Sequence, residues 1–182
     1  MTINVDDADL VLRCRGGDRQ AFATLVERYE KPIFVATLRM VGRHEDACDI
    51  TQTVFVKAFE GLAGYDPRFK FYNWIYRIAM NESLNFLKRG RRTAPAEDDL
   101  ASTGPDPEGA VGGAEVARVV QAALMSMKQD HRMVLVLRHF LACSYHDMGL
   151  ILDIPEKTVK SRLFTARQAL KDSLSARGIL HA

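Results

Sequence analysis

Ile154-Pro155-Glu156-Lys157-Thr158-Val159-Lys160-Ser161-Arg162-Leu163-Phe164-Thr165-Ala166-Arg167 decides how the C-terminal third of this chain folds. Val159, Leu163, Ala166, Leu170 and Leu174 recur at the spacing of a buried helix stripe. Lys157, Lys160, Phe164 and Lys171 fall on another face, with Ser161 beside them. Lysine holds phosphate or guanine, serine reads either base type, and an exposed phenylalanine meets a thymine methyl. A basic amphipathic helix is by itself compatible with a solvated surface helix. What precedes it narrows the choice. Ser144 with Asp147 three residues later is a capping box opening a short helix to Leu152, and a tight turn follows. A capped helix, a turn and a basic helix predict a helix-turn-helix whose second helix enters the major groove.

Working outward, the flanks are helical throughout. Arg132–Phe140 and Ala114–Met127 carry helical periodicity ahead of the capped helix, and Glu156–Ser175 continues beyond the quoted stretch. In the N-terminal half, Ala21–Arg39 places Phe22, Leu25, Val26, Tyr29, Ile33 and Phe34 near helical spacing, with Pro32 as a kink or boundary. His44–Leu62 repeats the pattern with Ala47, Ile50, Val54, Phe55, Ala58, Phe59 and Leu62, and Phe71–Lys88 makes a third long helix. No window alternates in the strand manner. The expected class is all-α: two small helical domains, with the helix-turn-helix in the second.

Composition places the boundary between them. Thr93–Gly113 holds three of the six prolines, four of the twelve glycines and five acids, without an aromatic residue. Such a stretch buries too little apolar surface to offset its ordering entropy and reads as a flexible acidic linker. Charge follows the same division: +3 over residues 1–92, −6 over 93–117 and +5 over 118–182. Two basic modules flank an acidic connector, the pattern of two nucleic-acid-facing surfaces. As a coil, the connector's ends sit roughly 25 Å apart, and stretched it reaches about 70 Å. The modules can therefore engage sites more than one turn of duplex, ~34 Å, apart.

The N-terminal module has its own polar stripe. Trp74, Arg77, Asn81, Asn85 and Lys88 share one side of the third helix, with Phe71, Ile75, Ile78 and Phe86 on one flank and Tyr76, Met80, Leu84 and Leu87 on the other. Residues 67–92 carry seven basic groups, among them Arg68 and Lys70, against the single acid Glu82. Tyr65, Phe69, Phe71, Tyr72 and Trp74 interleave with them. Cations that hold phosphates beside rings that stack on unpaired bases suit a single strand. Each ring is equally well explained as core.

Several classes are excluded or weakened. No run of about 18 apolar residues is present, so no membrane insertion is expected. The acidic start, Met1 to Asp9, lacks a signal peptide's order, and three scattered cysteines fit a reducing cytoplasm. His139, Cys143 and His146 have ligand chemistry, but the break near Cys143 spoils their common face and no fourth ligand is evident. The dense group His44, Glu45, Asp46, Cys48 and Asp49 reads as an acidic partner-binding surface. Phosphate loops and nucleophile elbows are lacking. No enzyme activity and no cofactor is expected.

Three segments carry a resemblance. Asp46-Ala47-Cys48-Asp49-Ile50-Thr51-Gln52-Thr53-Val54-Phe55-Val56-Lys57-Ala58-Phe59 resembles the core-polymerase-binding segment of bacterial sigma factors. Phe71-Tyr72-Asn73-Trp74-Ile75-Tyr76-Arg77-Ile78-Ala79-Met80-Asn81 is similar to their promoter-melting helix, and Pro155–Leu170 to their recognition helix. From about Asp9 to Leu174 the chain resembles the small extracytoplasmic-function (ECF) sigma factors. Gly149, where the family usually has alanine, and Cys48 and Cys143 depart from the pattern.

The resemblance implies a function and its sites. Asp46, Asp49, Gln52, Phe55 and Lys57 would face the clamp-helix coiled coil of the core RNA polymerase. The loop Gly64–Lys70, with Arg68, Lys70, Tyr72, Trp74, Arg77, Asn81, Asn85 and Lys88, would take the minus-ten strand, one base being extruded into a pocket. Lys157, Thr158, Lys160, Ser161, Arg162, Phe164 and Arg167 would face the minus-thirty-five element, Arg162 and Arg167 through phosphate or packing. The linker would run toward the polymerase's RNA exit path. An anti-sigma factor would restrain the chain. The other reading from the residues is a self-sufficient helix-turn-helix regulator with a sensing or dimerising N-terminal domain.

Overall fold

The computed structural model describes residues 6–93 and 111–178, the side chains of 91–93 and 111–114 excepted. The described residues are helical, without a strand. Helices α1 (Asp7–Arg15), α2 (Arg19–Val41), α3 (His44–Gly61) and α4 (Phe71–Thr93) form the N-terminal half. Helices α5 (Val111–Met125), α6 (Gln129–Leu135), α7 (Tyr145–Leu152) and α8 (Glu156–Ala176) form the C-terminal half. A 3-10 turn, Leu62–Gly64, follows α3, and a π turn, Val136–Phe140, prolongs α6.

The helices bury most of the stripes their periodicity predicts, Phe59 of α3 being an exception at 54% exposed. Leu25, Ile33, Ala36 and Met40 of α2 meet Val54 and Ala58 of α3 and Ile75, Ala79 and Met80 of α4, all 1% exposed or less. Burial of each large side chain of this set contributes about 1.5–3 kcal/mol relative to exposure. In the other half, Leu124, Val134, Leu137, Met148, Val159, Leu163 and Ala166 close an equally dry centre. The expected helix starting near Ala21 begins at Arg19, where the Asp18 carboxylate accepts from the Gln20 and Ala21 amides. It runs through Pro32 rather than ending there. Close packing of Tyr29, Ile33 and Ala36 on either side holds the backbone helical despite the missing donor.

Two features differ from the sequence reading. Helix α1 was not expected, and it packs on α2 through Leu10 and Val11. Helix also occupies both edges of the predicted connector, since α4 reaches Thr93 and α5 starts at Val111. The connector's middle, 94–110, and with it the predicted flexibility, lies outside the described residues.

The halves are packed together. Their apolar centres form one continuous cluster, with α2 against α5 and the π turn, and α4 against α7. Arg132 of α6 is the main polar rivet. Its buried guanidinium donates to the Leu124, Met125 and Met127 carbonyls of its own half and to the Met40 carbonyl of α2. Burial pulls this arginine down to about 10, so it remains charged near neutrality. Gly42, at φ 88, ends α2 in the left-handed region beneath α5. A Cβ there would lie 2.9 Å from Met125 Sδ, so the close approach of the halves uses the missing side chain.

Candidate nucleic-acid and polymerase interfaces

The predicted helix-turn-helix is present. Ser144 Oγ accepts from the Asp147 amide at 3.1 Å, the first half of the capping box, and its hydroxyl in turn donates to the Asp147 carboxylate. Asp153, at φ 54, ends α7 in the left-handed region, and the Ile154 amide returns to the Gly149 carbonyl at 3.1 Å. A Cβ on Gly149 would stand 3.0 Å from the Ile154 carbonyl oxygen, which gives the departure to glycine a local reason: the turn folds back onto α7 there. The Pro155 carbonyl then accepts from Thr158 and Val159, starting α8.

Helix α8 buries Val159, Leu163 and Ala166 and turns the opposite side outward. Lys157, Ser161 and Phe164 share that outward stripe, Phe164 being 77% exposed. Gln168 continues it at the next turn and Thr165 lies beside it, both exposed. Sequence reasoning left these two out, although extending the spacing from Lys157 by four, seven and eleven residues reaches Gln168. The remaining predicted residues sit on the shoulders. Lys160 pairs with Glu156 at 2.7 Å and lies over the Tyr145 ring, which Arg138 approaches from the π turn. Arg167 reaches His139 at 3.5 Å. On the other shoulder Thr158 is partly covered, and Arg162 lies 3.4 Å from Asp130 of α6, tying the helix back to its own module.

The loop before α4 is a built structure. Arg15 of α1 donates to the carbonyls of Leu62, Ala63 and Tyr65, and the Tyr65 hydroxyl donates to the Phe69 carbonyl. Asp66 accepts from the Arg68 amide and guanidinium, which holds its carboxyl below the usual range and leaves Arg68 exposed. A cavity lined by Gly64, Tyr65, Asp66, Phe69, Asn73, Trp74, Arg77 and Leu150 opens between loop and helix. The aromatic cluster divides. Tyr65 and Phe71 are core at 4% and 2% exposure, whereas Phe69 is 50% exposed and Tyr72 and Trp74 are half-buried. The Trp74 ring leans on Tyr65 and Phe71, its centroid 5.2 and 5.6 Å from theirs.

Along α4, Arg77, Asn81, Asn85 and Lys88 are exposed, as the stripe requires. Lys70 lies over the Tyr72 ring and bonds its hydroxyl. Asn73, absent from the predicted set, is buried at the head of the stripe and donates to Asp147 of α7 at 2.9 Å. Arg77 donates to the Leu150 carbonyl of α7. Neither partner is legible from local sequence.

On α3, Asp49, Gln52 and Lys57 face solvent and Asp46 is partly covered beside Arg43. Lys57 pairs with Glu82 of α4 at 2.6 Å. Phe55 differs from expectation: its position on the helix turns it inward, and it is 9% exposed. Val56 and Phe59 are the open apolar groups, 55% and 54% exposed, and they share a shallow groove with Phe22 and the rim of Phe55. Among the described residues no cluster of three or more histidines, cysteines or acids is placed to hold a metal. Burial pushes the Cys143 thiol up to about 12, away from the thiolate a metal needs. No helix among them is long and apolar enough to cross a membrane.

Two helical modules, one ending in a helix-turn-helix and one presenting a basic and aromatic cleft, are the architecture of a multi-surface DNA-binding protein. Residues 25–93 match Sigma-70 region 2 and residues 117–170 match Sigma-70 region 4. The ECF RNA polymerase sigma-E factor of Haemophilus influenzae is 32% identical over 96% of this chain and 98% of its own length. The RNA polymerase sigma-H factor of Pseudomonas aeruginosa is 33% identical over 96% of each chain. CnrH, solved in complex with the cytosolic domain of CnrY, superposes with a TM-score of 0.74 at 25% identity, covering 93% of this chain and 97% of that one. The chain belongs to the ECF family of RNA polymerase sigma factors. It is a subunit that joins core RNA polymerase and directs it to promoter DNA, in a family whose members are not enzymes.

Proposed function

We propose that this sigma factor divides promoter recognition between two faces and polymerase binding onto a third. Residues 1–92 act as the polymerase-binding and minus-ten unit, and residues 114–182 as the minus-thirty-five unit. The α3 face of Asp46, Asp49, Gln52 and Lys57, extended by Val56 and Phe59 and with Phe55 beneath, docks the clamp helices of the largest polymerase subunit. On α4 and its loop, Arg68, Lys70, Tyr72, Trp74, Arg77, Asn81, Asn85 and Lys88 hold the non-template minus-ten strand. The outward stripe of α8, Lys157, Ser161 and Phe164, reads the minus-thirty-five element. Thr158, Lys160, Arg162 and Arg167 flank it as phosphate or packing residues.

The observation that carries the minus-ten assignment is the cavity beside Trp74. Walls of Tyr65, Phe69 and Trp74 with Arg77 at the rim suit a flipped base whose phosphates meet cations, and stacking offsets an unstacking cost of a few kcal/mol. Chemistry at a reacting bond is not required of any of these groups. Action on polymerase places the chain in the cytoplasm. Regulation by an anti-sigma factor is supported by the sigma factor RpoE of Bartonella quintana, a structural neighbour solved with the anti-sigma factor NepR.

Reconstitution with core polymerase tests the division. Trp74→Ala is expected to slow strand opening, read by permanganate reactivity, by roughly 5- to 150-fold, the equivalent of one lost base stack. Polymerase binding should persist. Lys160→Ala should weaken use of the upstream element and leave core binding intact. Equal loss of polymerase binding in both variants would refute the division. Strong, specific duplex binding without polymerase would favour a stand-alone regulator instead.

A further inference from the structure

We propose that the chain's own helix-turn-helix competes with the minus-ten strand, α7 seating beside the Trp74 cavity so that the Asn73–Asp147 and Arg77–Leu150 bonds hold this end of the strand-reading face closed until the halves part. This rests on the minus-ten assignment of α4 above and deepens it by naming what occupies that face in the free chain.

The chemistry of the contact is that of a strand in miniature. A nucleic acid would bring the α4 face anionic oxygens and base carbonyls. Helix α7 brings it one carboxylate and one carbonyl. The Asp147 carboxylate takes the Asn73 amide at 2.9 Å and lies 3.8 Å from Lys70 Nζ. The Leu150 carbonyl takes the Arg77 guanidinium. Leu150 also walls the cavity in which Trp74 and Phe69 would receive a base. Asn73 and Asp147, 74 residues apart in sequence, are 5% and 6% exposed, so this is an interior bond and not a grazing surface contact. It is also incomplete. Asn73 Oδ1 is buried without a partner, so a ligand that satisfies both amide atoms would exchange favourably for α7.

Coverage is selective. Lys157, Ser161 and Phe164 on α8 stay open, as do Gln52, Val56 and Phe59 on α3. The closed chain thus offers its duplex-reading and polymerase-binding faces, while α7 takes up the polar head of the α4 face beside the Trp74 cavity; Asn81, Asn85 and Lys88 further along α4 stay exposed. A second contact holds the same closure from the opposite edge. Arg39 of α2 donates to Gln121 of α5 at 2.9 Å and lies over Phe140, and Gln121 donates to the Leu38 carbonyl at 3.2 Å. This edge touches none of the three faces.

Trp74, the single tryptophan, is a built-in probe of the covered face. The test uses the full chain and two variants: Asp147→Ala, which removes the oxygen that takes the Asn73 amide and leaves the Ser144 cap on the residue 147 amide, and Arg39→Ala with Gln121→Ala, which loosens the far edge. Acrylamide quenching of Trp74 and affinity for a short fluorescein-labelled single-stranded DNA of mixed sequence are measured, with helical content followed by circular dichroism. Both variants are expected to keep their helices, quench more readily and bind the strand more tightly. If the closed form holds nine-tenths of the free chain, the gain approaches tenfold, because apparent affinity scales with the open fraction. Duplex binding at α8 should not change.

Greater quenching with unchanged strand affinity overturns the competition, and unchanged quenching in both folded variants overturns the latch. In the wild type, strand binding that leaves α4 and α7 together, read as unchanged small-angle scattering, also overturns it. Adding Trp74→Ala to Asp147→Ala separates the two levels. Strand affinity unaffected by that change removes the α4 assignment itself, whereas a loss confined to the opened chain supports both.

Discussion

Helices α4 and α8 carry the same kinds of side chain on their outward stripes, lysine and arginine beside a large ring, yet they meet solvent differently. Phe164 of α8 stands free, and the residues that flank it pair only within their own module. Trp74 of α4 is half-buried among Tyr65 and Phe71, and its neighbours Asn73 and Arg77 are bonded to the other half of the chain. The difference follows the substrates. A duplex groove accepts a preformed convex helix, so α8 needs no cover. A strand-melting site is a cleft with unpaired donors and apolar walls. Left open, it is costly to solvate, and here another part of the chain sits against it.

The comparison breaks most completely if the shared interior is removed. Arg132→Ala would strand the carbonyls of Leu124, Met125, Met127 and Met40 and is expected to cost about 3 kcal/mol in denaturant unfolding. A loss below about 1 kcal/mol would mean that water replaces the guanidinium freely. A sharper cut follows from Phe164→Ala. It should lower discrimination at the upstream element by roughly tenfold, about the value of one base contact. Trp74 quenching should be untouched, and a change in it would show that the faces are coupled through α8.

Acid should loosen the contact between α4 and α7. Burial pushes the Asp147 carboxyl up, but hydrogen bonds from Ser144, Asn73 and Tyr72 and the Lys70 charge outweigh it and hold it below its ordinary 3.8. A depressed carboxyl stabilises the closed form above that ordinary value, and the contribution is lost as pH falls through the lower folded value. Trp74 should therefore become more accessible only below about pH 4, before helicity is lost. Opening between pH 5 and 7 would point to another group. The smallest change is expected from Lys57→Ala. Its pair with Glu82 is half-exposed, so stability should shift by less than about 1 kcal/mol while polymerase affinity reports its docking role.

Much of this molecule is legible in its sequence, and what is not has physical reasons. Helix periodicity located α2, α3, α4 and the C-terminal helices because each buries a continuous stripe. Helix α1 escaped because it is nine residues long and buries only Leu10 and Val11, while Leu12 faces solvent, so no helical stripe stands out. Gly112 and Gly113 looked like linker, yet they lie in the first turn of α5. Phe55 was placed outward by motif resemblance, although its angular position beside Val54 and Ala58 turns it toward the core. The Asn73–Asp147 bond lay beyond reach because nothing local distinguishes a buried asparagine from an exposed one when its partner is 74 residues away.

The grip of Arg15 on the loop carbonyls bears on how the molecule can be cut. The region 2 match begins at residue 25, downstream of all of α1. A fragment trimmed to that boundary would lose the capped start of α2 and, with α1, the guanidinium that gathers Leu62, Ala63 and Tyr65 into one bend. Its base pocket would lose the loop that shapes one wall. The smallest portable strand-reading unit of this chain therefore starts at α1, ahead of the stretch by which its family is recognised.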